Sequence, residues 1–248
     1  MKTIIAPNGN ELQISNNLLS KGDTNAKLIK NFLESHILYL NPWKQNSLGI
    51  NLCAGASVKC TEVCIYTTGR GVMAPVQEGR TRRTELYIQH RNYFLNMLLN
   101  ELTKLNKKAL REEKKIAVRL NGTSDLDFIA ILKNRFNIDI LDAFPGLEFY
   151  DYTKILGKVK KYAGTRYKLT FSRSETNESE CIEALSLGAP VSVVFDDKKP
   201  MPNIYLGAKV IDGDLADDIM LTAEPGTIIG LKAKGKARKD KTSGFVVI

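Results

Sequence analysis

Histidine is nearly missing: His36 and His90 are the two among 248 residues, which leaves little for acid–base chemistry near neutral pH. No nucleophile elbow, P-loop, HExxH helix or EF-hand loop occurs either, so the common hydrolase and nucleotide-binding signatures are excluded. No apolar run approaches the length of a membrane span. The residues after Met1, KTIIAPNGN, carry neither a long apolar stretch nor a small-residue cleavage site, so the expectation is a soluble, cytoplasmic protein with no membrane partner. Cysteine is scarce, at four residues, and in a reducing compartment that is not a disulfide framework. Thirty-six Lys and Arg against 27 Asp and Glu give a net charge of +9. Such a balance favours phosphate-bearing partners and equally fits an ordinary basic enzyme.

What is present is concentrated. Cys53, Cys60 and Cys64 fall in one stretch, CAGASVKCTEVC, with the spacing C-x6-C-x3-C. An apolar run, LGINL (48–52), precedes it and reads as a strand; the arginine-rich GRGVMAPVQEGRTRR follows. Thiolates are soft anionic ligands, and three on one small-residue loop can converge on a single metal centre. Tetrahedral structural zinc, the alternative metal, needs a fourth donor.

The rest of the chain alternates. Asn8-Gly9 between two extended runs predicts an N-terminal hairpin. Asp23 then offers a cap for a helix through Leu28, Ile29, Phe32, Leu33, Ile37 and Leu40, stopped at Asn41-Pro42. His36 lies beside that stripe and reads as packed or hydrogen-bonded. A long amphipathic helix is expected over 81–106, with Arg80, Arg82 and Arg83 at its N-terminal turn; cations at that positive end point to an anion next to Arg80 and Arg83. His90 on this helix reads as core packing, with a fourth-ligand role as the other reading.

Strands are then expected at KKIAVRLNG, LEFYDYT, YKLTFSR and APVSVVFDD, separated by helices at LDFIAILKNRF (capped by Ser124-Asp125), KILGKVKKYA and ESECIEALSLG. Alternation of this kind means parallel pairing through right-handed crossovers. The expected fold is one α/β domain over 1–248: an N-terminal hairpin and helix (1–42), then a partial β/α barrel of mainly parallel strands (43–248) carrying the cysteine loop 53–64.

Ligands in such folds bind at the C-terminal strand ends. Those ends supply Asn121, Asp125, Lys154, Arg173, Glu175 and Asp212 as candidates for contacting a small anionic substrate, with Lys154 and Arg173 suited to phosphate or carboxylate. Tyr150 and Tyr152 share one face of their strand. Cys181, in an apolar helical setting, reads as a buried structural thiol. Asp196-Asp197 and Asp217-Asp218 read as capping or solvated turns. Near the C-terminus, GLKAKGKARKDKTSG holds five lysines and an arginine. Flexible lysines of this kind can follow a phosphate backbone, which makes a cluster- or zinc-stabilised nucleic-acid-binding accessory protein the competing reading.

The blocks Cys53/Cys60/Cys64, RLNGTSD (119–125), FYDYTK (149–154), LTFSRSETN (169–177), VIDGD (210–214) and GLKAKGKARK (230–239) resemble the phage and plasmid family called gene product 88. That resemblance implies a mobile-element protein acting in the bacterial host cytoplasm. The order of strand, cysteine loop, helix and alternating strands is also similar, more loosely, to the radical S-adenosylmethionine enzymes, whose partial barrel carries a three-cysteine loop; the likeness implies an iron–sulfur (4Fe-4S) cluster on Cys53, Cys60 and Cys64 with one iron open to a small ligand. Those enzymes typically have C-x3-C-x2-C and a glycine-rich GGE-like segment after the second strand. This chain has C-x6-C-x3-C and NGTSD, so the likeness implies a cluster-bearing barrel and does not extend to S-adenosylmethionine binding.

Overall fold

A computed structural model describes residues 2–5, 11–14, 17–22 and 32–248. Strands β1 (Lys2–Ile5) and β2 (Glu11–Ile14) pair antiparallel with Lys2 opposite Ile14, the expected hairpin. Its Asn8-Gly9 turn lies outside the described residues, as do Asp23, Leu28 and Ile29 of the expected helix. Within the remainder of that expected helix, residues 34–38 are a strand. β3 (Leu19–Lys21) runs antiparallel to β4 (Glu34–Leu38), and β4 pairs on its other side, parallel, with β5 (Ile116–Arg119). Paired on both edges, β4 has partners for its backbone groups, and this outweighs the helical spacing of Leu33, Ile37 and Leu40. His36 within it hydrogen-bonds Glu34 at 2.8 Å.

LGINL is a loop rather than a strand. The Asn46 side chain donates to the Ile50 carbonyl and accepts the Ile50 N–H, at 2.7 and 2.9 Å, and Gly49 turns the chain at φ +62°. The strand preceding the cysteines is therefore β4. After α1 (Val58–Glu62), the helix expected over 81–106 is two: α2 (Ala74–Gln89) and α3 (Arg91–Arg111), broken at His90, whose φ is −132° and ψ 52°. His90 closes one helix through its N–H to Leu86 and opens the next through its carbonyl to Phe94. Across the break Tyr87 and Phe94 meet edge-to-face at 5.2 Å.

The alternation is then as expected: β5, α4 (Phe128–Phe136), a short α5 (Ile140–Ala143), β6 (Leu147–Thr153), α6 (Leu156–Tyr162), β7 (Lys168–Ser172), α7 (Glu178–Ser186) and β8 (Val191–Phe195). β9 (Ile204–Tyr205), β10 (Ala208–Asp212), β11 (Ile228–Lys232) and β12 (Val246–Val247) complete it. Asp127, not Ser124-Asp125, caps α4 by accepting the Ala130 N–H at 3.1 Å.

The main sheet has ten strands, nine of them in the order β3-β4-β5-β6-β7-β8-β11-β10-β9, with β12 added beside β8. β4 through β10 are parallel along that path, and the antiparallel β3 and β9 end it at opposite sides. The sheet curls as an open, partial barrel. On one face Phe94, Leu95, Leu98 and Leu102 of α3 pack with Phe128 and Leu132 of α4 against Ile116, Val118, Leu147 and Phe149. On the other, Ala117, Tyr150 and Ile229 are covered by Met220 from a short 3₁₀ turn, Asp217–Leu221. Parallel strands covered on both faces become continuous apolar runs, which is how β5 and β8 read.

The lysine-rich stretch is structured. It forms β11, a 3₁₀ turn (Gly235–Lys239) and the approach to β12. Lys234 pairs with Asp214 at 2.6 Å, Arg238 with Asp197 at 3.0 Å and Lys241 with Asp196 at 2.7 Å. Among the described residues no helix is long and apolar enough to cross a membrane.

Candidate functional site

Because β4 to β7 are parallel, their C-terminal ends open on one edge, and the cysteine loop crosses that edge from strand to strand. At the β5 exit the Asp125 N–H donates to Leu52 O at 2.8 Å, and Cys53 Sγ lies 3.5 Å from Thr123 O and 3.3 Å from the Trp43 N–H. At the β6 exit the backbone of Gly55 presses on Lys154: a Cβ on Gly55 would sit 2.9 Å from both Lys154 Cβ and Lys154 O. Only a residue without a side chain allows that approach. At the β7 exit Glu175 takes over, accepting the Ser57 hydroxyl at 2.7 Å and the Lys59 N–H at 3.0 Å. Ser57 in turn caps α1 by accepting the Cys60 N–H at 3.2 Å. Val63 ends α1, its N–H donating to Lys59 O, and Cys64 starts the 3₁₀ turn Ile65–Thr67.

The three thiols are half-buried and within electrostatic reach of one another, Cys53 with Cys60 and Cys64, and Cys64 with Cys60. Burial pushes Cys53 up to about 12 and raises Cys60 and Cys64 as well, so all three hold their protons at neutral pH. Lys154 beside Cys60 and Cys64, and Arg80 beside Cys64, act in the opposite direction. Among the described residues no group of three His, Cys, Asp or Glu is drawn together tightly enough to hold a metal ion. The three thiols share one short loop, with Lys154 and Arg80 among their charged neighbours. Cys181 stands apart, fully buried on α7 with its thiol 3.7 Å from Asn177 Oδ1, the structural thiol expected.

The polar residues at the β5, β6 and β7 exits converge, and they bond within the chain. Asn121 accepts from the Ser124 hydroxyl and the Leu126 N–H and donates to Leu126 O and Asp151, so it pins the NGTSD turn. Asp125 accepts from Thr153, the Lys154 N–H and Lys158. Lys154 Nζ donates to the carbonyls of Ser172 and Arg173 at 3.2 and 2.9 Å, and burial pushes its ammonium below the usual lysine range. Arg173 donates to Gly244 O at 2.7 Å and lies over the Tyr205 ring. Asp212 is exposed at the end of β10, where it accepts the Asp214 N–H.

Arg80 and Arg83 are not at a helix N-terminus. α2 begins at Ala74, so both sit inside the helix, where its dipole no longer favours an anion. Arg83 donates to Tyr39 O at 3.1 Å, and burial with the neighbouring arginines pushes it down to about 10. Arg80 is 7% exposed. One of its nitrogens donates to Tyr66 O at 2.7 Å and the guanidinium faces the Tyr39 and Tyr66 rings at 5.2 and 6.0 Å, yet its Nε has no partner. Removing a guanidinium from water costs several kcal/mol, which ring contacts of about 0.5–2 kcal/mol offset only in part.

Sequence reasoning missed a second buried charge group. Arg119, on the inner face of β5, pairs with Asp217 at 3.2 Å and lies 3.9 Å from Asp151; Tyr150 donates to Asp217 at 3.0 Å and the Tyr152 ring faces the guanidinium at 4.6 Å. Asp217 and Asp218 are thus buried rather than solvated, Asp218 accepting the Leu33 N–H at 2.9 Å. An arginine inside the apolar run IAVR was the available signal.

The sequence pattern of one family, described as gene product 88, matches residues 13–247. The chain belongs to the gene product 88 family. Neither the curated proteins nor the solved structures contain a match to it. In this gene product 88 protein four of the six blocks that carry the family resemblance, those with Cys53–Cys64, Asn121–Asp125, Lys154 and Arg173–Asn177, meet at one edge of the sheet; 210–214 and 230–239 are not among them.

Proposed function

We propose that this protein binds an iron–sulfur (4Fe-4S) cluster through Cys53, Cys60 and Cys64 and acts as a redox protein on a small anionic molecule at the C-terminal edge of its parallel sheet. The observation that carries the reading is the course of the cysteine loop, fastened in turn to the exits of β5, β6 and β7 by Cys53–Thr123, Gly55–Lys154 and Ser57–Glu175. Loops so fastened hold ligands in place, and the edge is where parallel α/β folds bind. When bound, the cluster supplies a one-electron centre with an iron that no cysteine holds. Lys154 and Arg80 provide positive charge behind the thiols, Glu175 fixes the backbone at Cys60, and Asn121 and Asp125 keep the β5 turn rigid under Cys53. The internal bonds of Asn121 to Asp125 give no support to S-adenosylmethionine binding.

The test is iron and acid-labile sulfide analysis with electron paramagnetic resonance on anaerobically purified protein. About four irons and four sulfides per chain are expected, lost in Cys53→Ala, Cys60→Ala and Cys64→Ala and retained in Cys181→Ala. Zinc alone, or no metal, would overturn the proposal.

A further inference from the structure

Side chains alternate along a strand, and the packing of one set gives the direction of the other. Leu169 and Phe171 of β7, and Val191 and Val193 of β8, pack under the helices, so Thr170, Ser172 and Ser192 face the concave side of the sheet. Arg119 shares that side with Ala117, and Tyr152 shares it with Tyr150. The ladders align them: Tyr152 pairs with Thr170, and Ser172 with Ser192. A row of polar side chains thus crosses β5 to β8 beside the apolar Ala117, Met220 and Ile229, toward the strand ends where parallel α/β folds bind ligands.

Two members of the row make no hydrogen bond through their side chains. Among the described residues, eight buried side-chain nitrogens and oxygens lack a partner: four arginine Nε atoms, one oxygen each of Asp197 and Asp218, and the hydroxyls of Tyr152 and Thr170. The arginines and the two carboxylates are paired through their other atoms. Tyrosine and threonine have no second polar side-chain atom. The two orphan hydroxyls therefore belong to cross-strand neighbours, and Thr170 is 0% exposed. The charges beside them are already matched. Arg119 gives Nη1 to both oxygens of Asp217, at 3.3 and 3.2 Å, and Tyr150 donates to the same carboxylate. Asp151, 3.9 Å from Arg119 Nε, is taken by Tyr167 and Asn121. A net-charged ligand would be buried here without a counter-ion. A ligand with hydroxyls can both donate to and accept from Tyr152 and Thr170, and can take the remaining N–H groups of Arg119. One orphan hydroxyl is met by a single water; two side by side, next to a guanidinium with donors to spare, make a lining.

We infer that the concave face of the sheet is a second binding site, separate from the cysteine loop, which takes a small uncharged polyhydroxylated molecule, a sugar or polyol, on Tyr152, Thr170 and Arg119. The turn Asp217–Leu221 lies against β6 and β7 and covers the site, fastened there by the Asp217–Arg119 pair. The site needs no metal and does not depend on the state of the three thiols.

The experiment measures equilibrium binding and thermal unfolding of full-length wild type, Tyr152→Phe, Thr170→Val, the double variant and Tyr93→Phe. The probes are D-ribose, D-glucose, glycerol and myo-inositol at millimolar concentration, with inorganic phosphate and glycine as charged comparisons. A neutral probe is expected to bind and to raise the wild-type melting temperature. Tyr152→Phe and Thr170→Val are each expected to weaken that binding about 3- to 10-fold, the worth of one hydrogen bond, and the double variant to lose it. Tyr93, exposed on α3, is expected to matter to neither. Without a probe, both single variants should melt at or above the wild type, because each replaces an unpaired buried hydroxyl with an apolar group of similar shape. Lower melting of both without a probe would mean that the fold already satisfies these hydroxyls, and overturns the inference. So does a neutral-probe shift that persists in the double variant, or a response to phosphate or glycine instead. No shift with any neutral probe leaves only ordered water at the two hydroxyls and overturns it as well.

Discussion

Glu175 reaches back 118 residues to take the hydroxyl of Ser57 at 2.7 Å. Its second oxygen takes the Lys59 N–H at 3.0 Å, so one carboxylate from the β7 exit fixes both the cap and the first turn of the helix bearing Cys60. Supports of this kind around a metal ligand are worth about 10- to 100-fold in metal affinity. If the proposed cluster is bound, Glu175→Ala should lower its retention by about that factor in a chelator competition, with the far-ultraviolet circular dichroism unchanged. Equal retention would mean that the loop holds its own shape.

Gly55 and Gly157 make opposite predictions under the same substitution. Gly55→Ala places a methyl 2.9 Å from the Lys154 backbone and should cost about 1–3 kcal/mol in chemical denaturation, as overpacking does. Gly157 lies in α6, where an added methyl group would meet nothing within 4 Å, so Gly157→Ala should stabilise by about 0.5–1 kcal/mol. Similar behaviour of the two variants would contradict the close approach of loop and strand.

Asp127 gives a pH dependence. Burial alone would raise its carboxyl, but hydrogen bonds from Lys161, Tyr162 and the Ala130 N–H outweigh burial and hold it below its ordinary 3.8. A carboxylate depressed on folding stabilises above its unfolded value and loses that contribution as pH falls through the folded value. Compared with Asp127→Ala, the wild type should be more stable by about 1 kcal/mol near pH 7. The gap should narrow steadily below about pH 4. A gap that is constant from pH 7 to 3 would assign the effect to packing.

Arg119 and Asp217 are coupled. Removing one member of a buried pair strands the other, at about 3–5 kcal/mol, whereas replacing both with apolar groups can be nearly neutral. Arg119→Met and Asp217→Leu should each be severely destabilised in urea, and the double variant should be less so than their sum. Additive effects would separate the two residues energetically.

Much of the architecture was legible because the signals were local. LEFYDYT is a strand over the residues where aromatic and β-branched side chains cluster, and Gly188 ends the α7 segment with φ +79°. The strand-exit set Asn121, Asp125, Lys154, Arg173 and Glu175 could be named because parallel topology gathers those positions whatever they bond to. The β4 strand was not legible: Leu33, Ile37 and Leu40 repeat at helical spacing, and its strand state depends on β3 and β5, the latter about 80 residues away. LGINL misled in the reverse sense, apolar and extended but without a partner, which leaves Leu48 64% exposed. Neither the burial of Arg80 nor the pairing of Asp217 leaves a mark on spacing, because each is decided by residues from other strands.

The dependence of Cys60 on Glu175 also imposes an order in time. A ribosome adding about 5–20 residues per second takes roughly 6–24 s to travel the 118 residues from Ser57 to Glu175. Through that interval the three thiols are already made while the carboxylate that anchors their loop is not. The cysteine loop is thus synthesised well before it can be fixed, and a nascent chain ending before β7 would carry the thiols without their seat.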